Sequence, residues 1–108
     1  MSGDTATTKA RLVVPVTTDD HCQGPVDTLA TLVEYGDYQC PHCRSVYFNI
    51  RELQERMGDR IRYFYRHLPI TSMHPGAQLA AEAAEAAGAQ GEFWAMHDKL
   101  FQNDELDL

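Results

Sequence analysis

No apolar run in this chain approaches the roughly 18 residues that a membrane-spanning helix needs, so no span is expected. Basic residues are scarce. Nine Lys and Arg stand against sixteen Asp and Glu, a net charge of −7, and they form no cluster able to follow a phosphate backbone or an anionic bilayer. Nucleic acid and anionic membrane surfaces therefore drop out as expected partners. The first twenty residues mix Thr, Asp, Lys and short apolar groups without the apolar core and cleavage site of a secretory leader, so a cytoplasmic address is expected for the chain as written. Three cysteines, one spaced pair and one odd thiol, are too few for a disulfide framework. Zinc wants four ligands, and no second Cys-x-x-Cys or His-x-x-x-His pair is present to complete a set; His21, Cys22, His67, His74 and His97 are scattered. No repeat or low-complexity tract occurs beyond one alanine-rich run. At 108 residues the chain can form one small domain with little margin of stability.

What is present centres on Cys40-Pro41-His42-Cys43, where a strand-like run (Thr31 to Tyr35) gives way to a helical one (Arg44 to Met57). Residues three apart on a helix lie about 5–6 Å from one another, within the reach of a disulfide, so the pair can open and close with little backbone movement. With Cys40 as N-cap, Pro41 falls at the first helical position, where its fixed φ fits and its missing N–H is not needed. The Cys40 sulfur then faces the free amides and the positive end of the helix dipole. That setting favours a thiolate, and a protonated His42 alongside adds to it. A thiolate that leaves readily makes its disulfide easy to attack, which points to a pair acting as an oxidant.

Around this motif the elements follow from periodicity. Residues 10–16 carry enough apolar side chains for a short strand, held to an edge or end by Pro15, and Thr17 to Thr28 reads as a loop containing Cys22, a partly buried or incidental thiol. Leu29 to Tyr35 reads as a central strand buried on both faces, in which Glu34 is costly unless partnered, protonated or at an exposed end. Val46, Ile50, Leu53 and Met57 recur at helical spacing, and Gly58 ends that helix. Ile61, Tyr63 and Tyr65 alternate with Arg62, Phe64 and Arg66 in a second strand, parallel to the first, with both arginines expected to face solvent. Ala77 to Ala89 is strongly helix-forming, with Leu79, Ala80, Ala83, Ala84 and Ala87 as its packing stripe. Glu92 to Phe101 makes a last short helix whose Phe93, Trp94, His97, Leu100 and Phe101 read as core.

Cys40-Pro41-His42-Cys43 preceded by Glu34-Tyr35-Gly36-Asp37-Tyr38-Gln39 resembles the DsbA-like branch of the thioredoxin-fold thiol-disulfide oxidoreductases. Asp20-His21, Gly24-Pro25, Arg66-His67-Leu68-Pro69, His74-Pro75 and Ala80 to Ala87 extend the resemblance over roughly residues 20 to 101. It implies an α/β chain with an incomplete thioredoxin-like fold: an N-terminal extension over 1–19, a domain over 20–108, a strand–helix–strand core over 29–69 and a helical segment over 76–108. It also implies that Glu34 lies beneath the disulfide and handles the proton of Cys43, while Cys40 meets the substrate. The partners implied are protein thiols and a redox partner that the sequence does not identify. No metal or organic cofactor is required. Oxidising relatives are exported, which sets a periplasmic or extracellular address against the cytoplasmic one. Relatives continue into a cis-proline loop and further strands that this sequence does not contain, so a fragment, a weakly folded truncation or a homodimer joined through the unpaired sheet edge is expected. Beside the oxidoreductase stand two other readings: a catalytically idle binding or regulatory module, and a zinc site on Cys40 and Cys43.

Overall fold

The computed structural model describes residue 12 and residues 14–103. Residues 10, 11 and 13 of the expected first strand lie outside the described residues, as does the stretch before them, and residues 14–16 carry no strand. The elements run β1 (His21–Gln23), β2 (Ala30–Gly36), α1 (Pro41–Met57), a 3₁₀ turn (Gly58–Arg60), β3 (Ile61–His67), α2 (Ala77–Gly88) and α3 (Phe93–Gln102). This is the mixed α/β arrangement expected of a thioredoxin-like fold.

The sheet order is β1-β3-β2. β2 and β3 are parallel, in register from Ala30 opposite Ile61 to Gly36 opposite His67, as strand–helix–strand connectivity through α1 requires. β1 pairs antiparallel with β3, His21 opposite Tyr65. Two expectations need correcting here. The segment from Thr17 to Thr28 is not only a loop, because His-Cys-Gln, which has no strand alternation of its own, becomes a strand by hydrogen-bonding to β3. Among the described residues it is β3, paired on both edges, that is central and most buried, with Ile61, Tyr63, Phe64 and Tyr65 all inside; β2 is only half-buried.

Both helices present a face slightly rotated from the expected one. On α1 the buried side chains are Tyr47 and Ile50, with Cys43 and Val46 packed beside them, and Leu53 stands out in solvent. Tyr47 is amphipathic: its ring stacks on Phe101 while its hydroxyl donates to Asp98 at 2.8 Å, which is why a polar-tipped residue displaces Leu53 from the interface. On α2 the stripe is Ala77, Ala80, Ala81 and Ala84, and Leu79 is 53 % exposed. The small side chains let α2 lie close to α3, whose Phe93, His97, Leu100 and Phe101 fill the core against Tyr38, Tyr63 and Tyr65. Arg44 ties α1 to the end of α3, donating to the carbonyls of Phe101 and Asn103 at 3.0 and 2.8 Å, a cation placed where a helix C-terminus favours one.

Arg66 does not face solvent. Its side chain is 12 % exposed and grips both oxygens of Asp20 at 2.8 and 3.0 Å, the carbonyls of Val14 and Pro15, and the Tyr35 hydroxyl. A planar fork with several donors can bind a carboxylate and a passing main chain at once, and this one fastens the segment before β1 across the sheet. Arg62 is half-buried, lies over the Phe64 ring and donates to Thr31.

Gly36, the last residue of β2, sits under the Tyr65 ring. A Cβ there would collide with Cε1 and lie 2.6 Å from the hydroxyl oxygen and 2.8 Å from Cζ. Gly36→Ala is therefore expected to displace a fully buried tyrosine and destabilise the fold by about 1–3 kcal/mol, the range for overpacking a core. Urea unfolding monitored by circular dichroism measures it, and an unchanged midpoint would contradict the packing described.

Candidate active site

The site is built where β2 ends. Asp37, 3 % exposed, turns the chain: its carbonyl accepts from the Cys40 N–H at 3.1 Å, and its carboxylate accepts from the Gln39 N–H at 2.8 Å. The two bonds make a tight turn with an aspartate closing it from its own side chain. The other carboxylate oxygen accepts from the Ile70 N–H at 3.0 Å and Nδ1 of His74 at 2.9 Å, so the turn is fastened to the segment after β3. Gln39 reinforces it by accepting from the Gly76 N–H at 2.7 Å. Tyr38, between them, is driven into the core, where its hydroxyl meets Nδ1 of His97 at 2.9 Å. Burial holds His97 neutral by pushing its pKa down to about 3.

Cys40 follows as the N-cap of α1, in extended backbone (φ −76°, ψ 121°), and its carbonyl accepts the first helical bond from Arg44. Pro41 occupies the first turn and is exposed, as is His42. Cys40 and Cys43 are free, half-buried thiols within hydrogen-bonding reach of one another. Burial pushes the Cys43 thiol up to about 11; the Asp37 backbone offsets part of the rise, and the Cys40 sulfur and the Glu34 charge add to it. Burial thus favours the protonated form of Cys43.

Glu34 is half-buried in β2 and accepts a hydrogen bond from the Tyr63 hydroxyl across the parallel pair. Burial raises its pKa and the tyrosine bond lowers it in part. The Glu34 charge adds to the rise at Cys43, so the two groups stand within electrostatic range of one another. Cys22, expected to be a partly buried or incidental thiol, is exposed on β1, with all of β3 between it and β2. Arg62 and Arg66 serve the fold, as described above.

Three contributors escape a reading by motif spacing alone. Asp37 and His74 stand in sequence blocks already singled out, but their partnership spans 37 residues and only folding reveals it. Tyr63 reads as a core residue of an alternating strand, and nothing in its neighbours marks the hydroxyl as Glu34's donor.

A family model described as thioredoxin matches residues 16–107. The chain is 56 % identical over 90 residues to a Na(+)/H(+) antiporter NhaA 1 of Salinispora arenicola, a match covering 82 % of this chain and 14 % of that protein. Among solved structures, a thioredoxin-like oxidoreductase from Silicibacter pomeroyi superposes with a TM-score of 0.71 at 30 % identity, over 85 % of this chain and 50 % of that one. DsbA2 of Pseudomonas aeruginosa gives 0.70 at 23 % identity, over 83 % and 51 %, a likeness of fold. The chain thus spans about half of the solved chains and a seventh of the antiporter.

With its pKa pushed up to about 11, Cys43 is expected to stay mainly thiol at neutral pH. Iodoacetamide labelling of the reduced protein, read by mass spectrometry, is expected to modify Cys43 more slowly than Cys40, with its rate climbing steeply as pH approaches 11. Equal labelling of the two below pH 9 would contradict the assignment of Cys43 as the protonated partner.

Proposed function

The chain belongs to the thioredoxin family, and on that premise we propose that it is a thiol-disulfide oxidoreductase of the DsbA-like kind, exchanging a Cys40–Cys43 disulfide with protein thiols. The observation that carries the reading is the asymmetry of the pair. One sulfur stands at the amino end of a 17-residue helix, and the other, a turn further on, is held protonated by burial. A helix N-terminus stabilises negative charge, so Cys40 is the sulfur that leaves and attacks as thiolate.

In the oxidising direction a substrate thiolate attacks Sγ of Cys40, the Cys40–Cys43 bond breaks, and Cys43 departs with the electron pair and takes a proton. Glu34, biased toward its protonated form by burial, supplies it. A second substrate thiolate then attacks the substrate sulfur of the mixed disulfide and expels Cys40 as thiolate. The substrate is oxidised by two electrons and the pair reduced by two. The reverse sequence reduces substrates: the Cys40 thiolate attacks a substrate disulfide, and Cys43, giving its proton to Glu34, attacks Sγ of Cys40. The proline and histidine between the cysteines and the helix-end sulfur support the oxidising direction, because a stabilised thiolate favours the dithiol form. His42, exposed in the first turn of α1, supports the same direction, since a cation beside Cys40 favours its thiolate.

A second reading rests on the antiporter likeness: the fold works as a regulatory or binding module, alone or joined to a cation transporter. Such a module needs no turnover, and a thiol-exchange assay separates the two readings.

In that assay Cys43→Ser is expected to accumulate a mixed disulfide through Cys40, and Cys40→Ser to accumulate none. The reverse pattern would exchange their roles, and no exchange by the unaltered chain would favour the module. Glu34→Gln, which cannot take the proton, is expected to slow attack by Cys43 about 10²-fold at neutral pH, the low end for a positioned general base. An unchanged rate would remove Glu34 from the mechanism.

A further inference from the structure

Outside the thiol site, three side chains from three elements converge on one point. His21 of β1 and His67 at the end of β3 direct Nε2 at the same oxygen of Glu85 on α2, Oε2, at 2.6 and 2.8 Å, and the three atoms lie within 4.8 Å of one another. In sequence these histidines are scattered; the antiparallel pairing of β1 with β3 and the packing of α2 bring them together. Both rings are held in place. His21 lies flat on Phe93, ring centroids 3.5 Å apart and planes 4° from parallel, and His67 meets Tyr65 and Phe93 edge-on. The group opens onto a cleft of about 380 Å³ that Asp20, Tyr35 and Arg66 also line.

We infer that His21, His67 and Glu85 form a binding site for a borderline divalent transition-metal ion such as zinc. Two imidazoles and one carboxylate with an open side make the donor set of a three-residue zinc site, and imidazole nitrogen selects such ions over calcium or magnesium, which prefer oxygen alone. On binding, the ion replaces the hydrogen bonds to Oε2. Both histidines bind as neutral rings with the proton on Nδ1, all but one of the waters leave the hydrated ion, and the water it keeps, on the cleft side, fills the fourth position. The bound ion links β1, β3 and α2. Its affinity is expected to be moderate: Nδ1 of His67 is buried with no hydrogen-bond partner among the described residues, and an incomplete outer shell costs metal sites about 10–100-fold. The proposal does not depend on the thiol chemistry.

The test must keep thiolate ligation apart from this site. The 108-residue chain and a variant with Cys22, Cys40 and Cys43 all changed to Ser are titrated with zinc against a chromophoric chelator, and cobalt(II) spectra are recorded. One equivalent of zinc in the serine variant, with a cobalt spectrum free of thiolate charge-transfer bands, is expected. Its affinity should fall at least tenfold in Glu85→Gln and in His21→Gln. Glu85 is half-exposed on α2, so Glu85→Gln should keep its fold, which circular dichroism verifies. If the serine variant does not fold, the same two substitutions in the unaltered chain must still remove the component of cobalt binding that lacks thiolate bands. Zinc held by the cysteines alone, or binding indifferent to both substitutions, would overturn the inference.

Discussion

The buried carboxylate of Asp37 is the constraint on which the site depends. It closes the turn that leaves β2, holds the Ile70 backbone and His74 from the segment after β3, and by fixing that turn sets where Cys40 begins α1. A buried carboxylate is costly unless its lone pairs are met, and here two backbone amides and an imidazole meet them. Removing one partner of a hydrogen bond to a charged group leaves about 1.5–3 kcal/mol uncompensated, a large share of what a small domain has to spare. The turn thereby holds Cys40 at the amino end of α1.

The two thiols stand in different environments a helical turn apart. Cys40 stands at the helix end, and Cys43 is packed against the core beside Val46 and the Tyr63–Glu34 pair. The same burial that raises Cys43 raises Glu34, so thiol and acid are biased together toward holding protons. The aromatic core under α3, with Tyr38 locked onto a neutral His97, gives the turn a rigid floor.

Much of this was legible in the sequence wherever local pattern and tertiary fate agree. β2, α1 and its proline-led start, the parallel partner β3 and both later helices follow from periodicity and punctuation. β1 did not, because three residues without alternation become a strand only through pairing with β3. The helix faces were misjudged by a residue or so at Leu53 and Leu79: counting apolar positions overlooks a tyrosine that buries its ring and an alanine stripe that outcompetes a leucine for close packing. Arg66 read as a surface charge because its partner, Asp20, lies 46 positions away. Asp37–His74 and the His21–His67–Glu85 group were hidden for the same reason: each is assembled by the fold from distant segments.

The most direct test of the account is a redox titration of the chain in graded glutathione buffers, with acid quenching and thiols counted by mass. A single two-electron transition confined to Cys40 and Cys43 is expected, at a potential more oxidising than the about −270 mV of thioredoxin and shifted toward the about −120 mV of DsbA. A pair that forms no reversible disulfide, or one as reducing as thioredoxin, would contradict the claim that the turn at Asp37 delivers a stabilised thiolate to the start of α1.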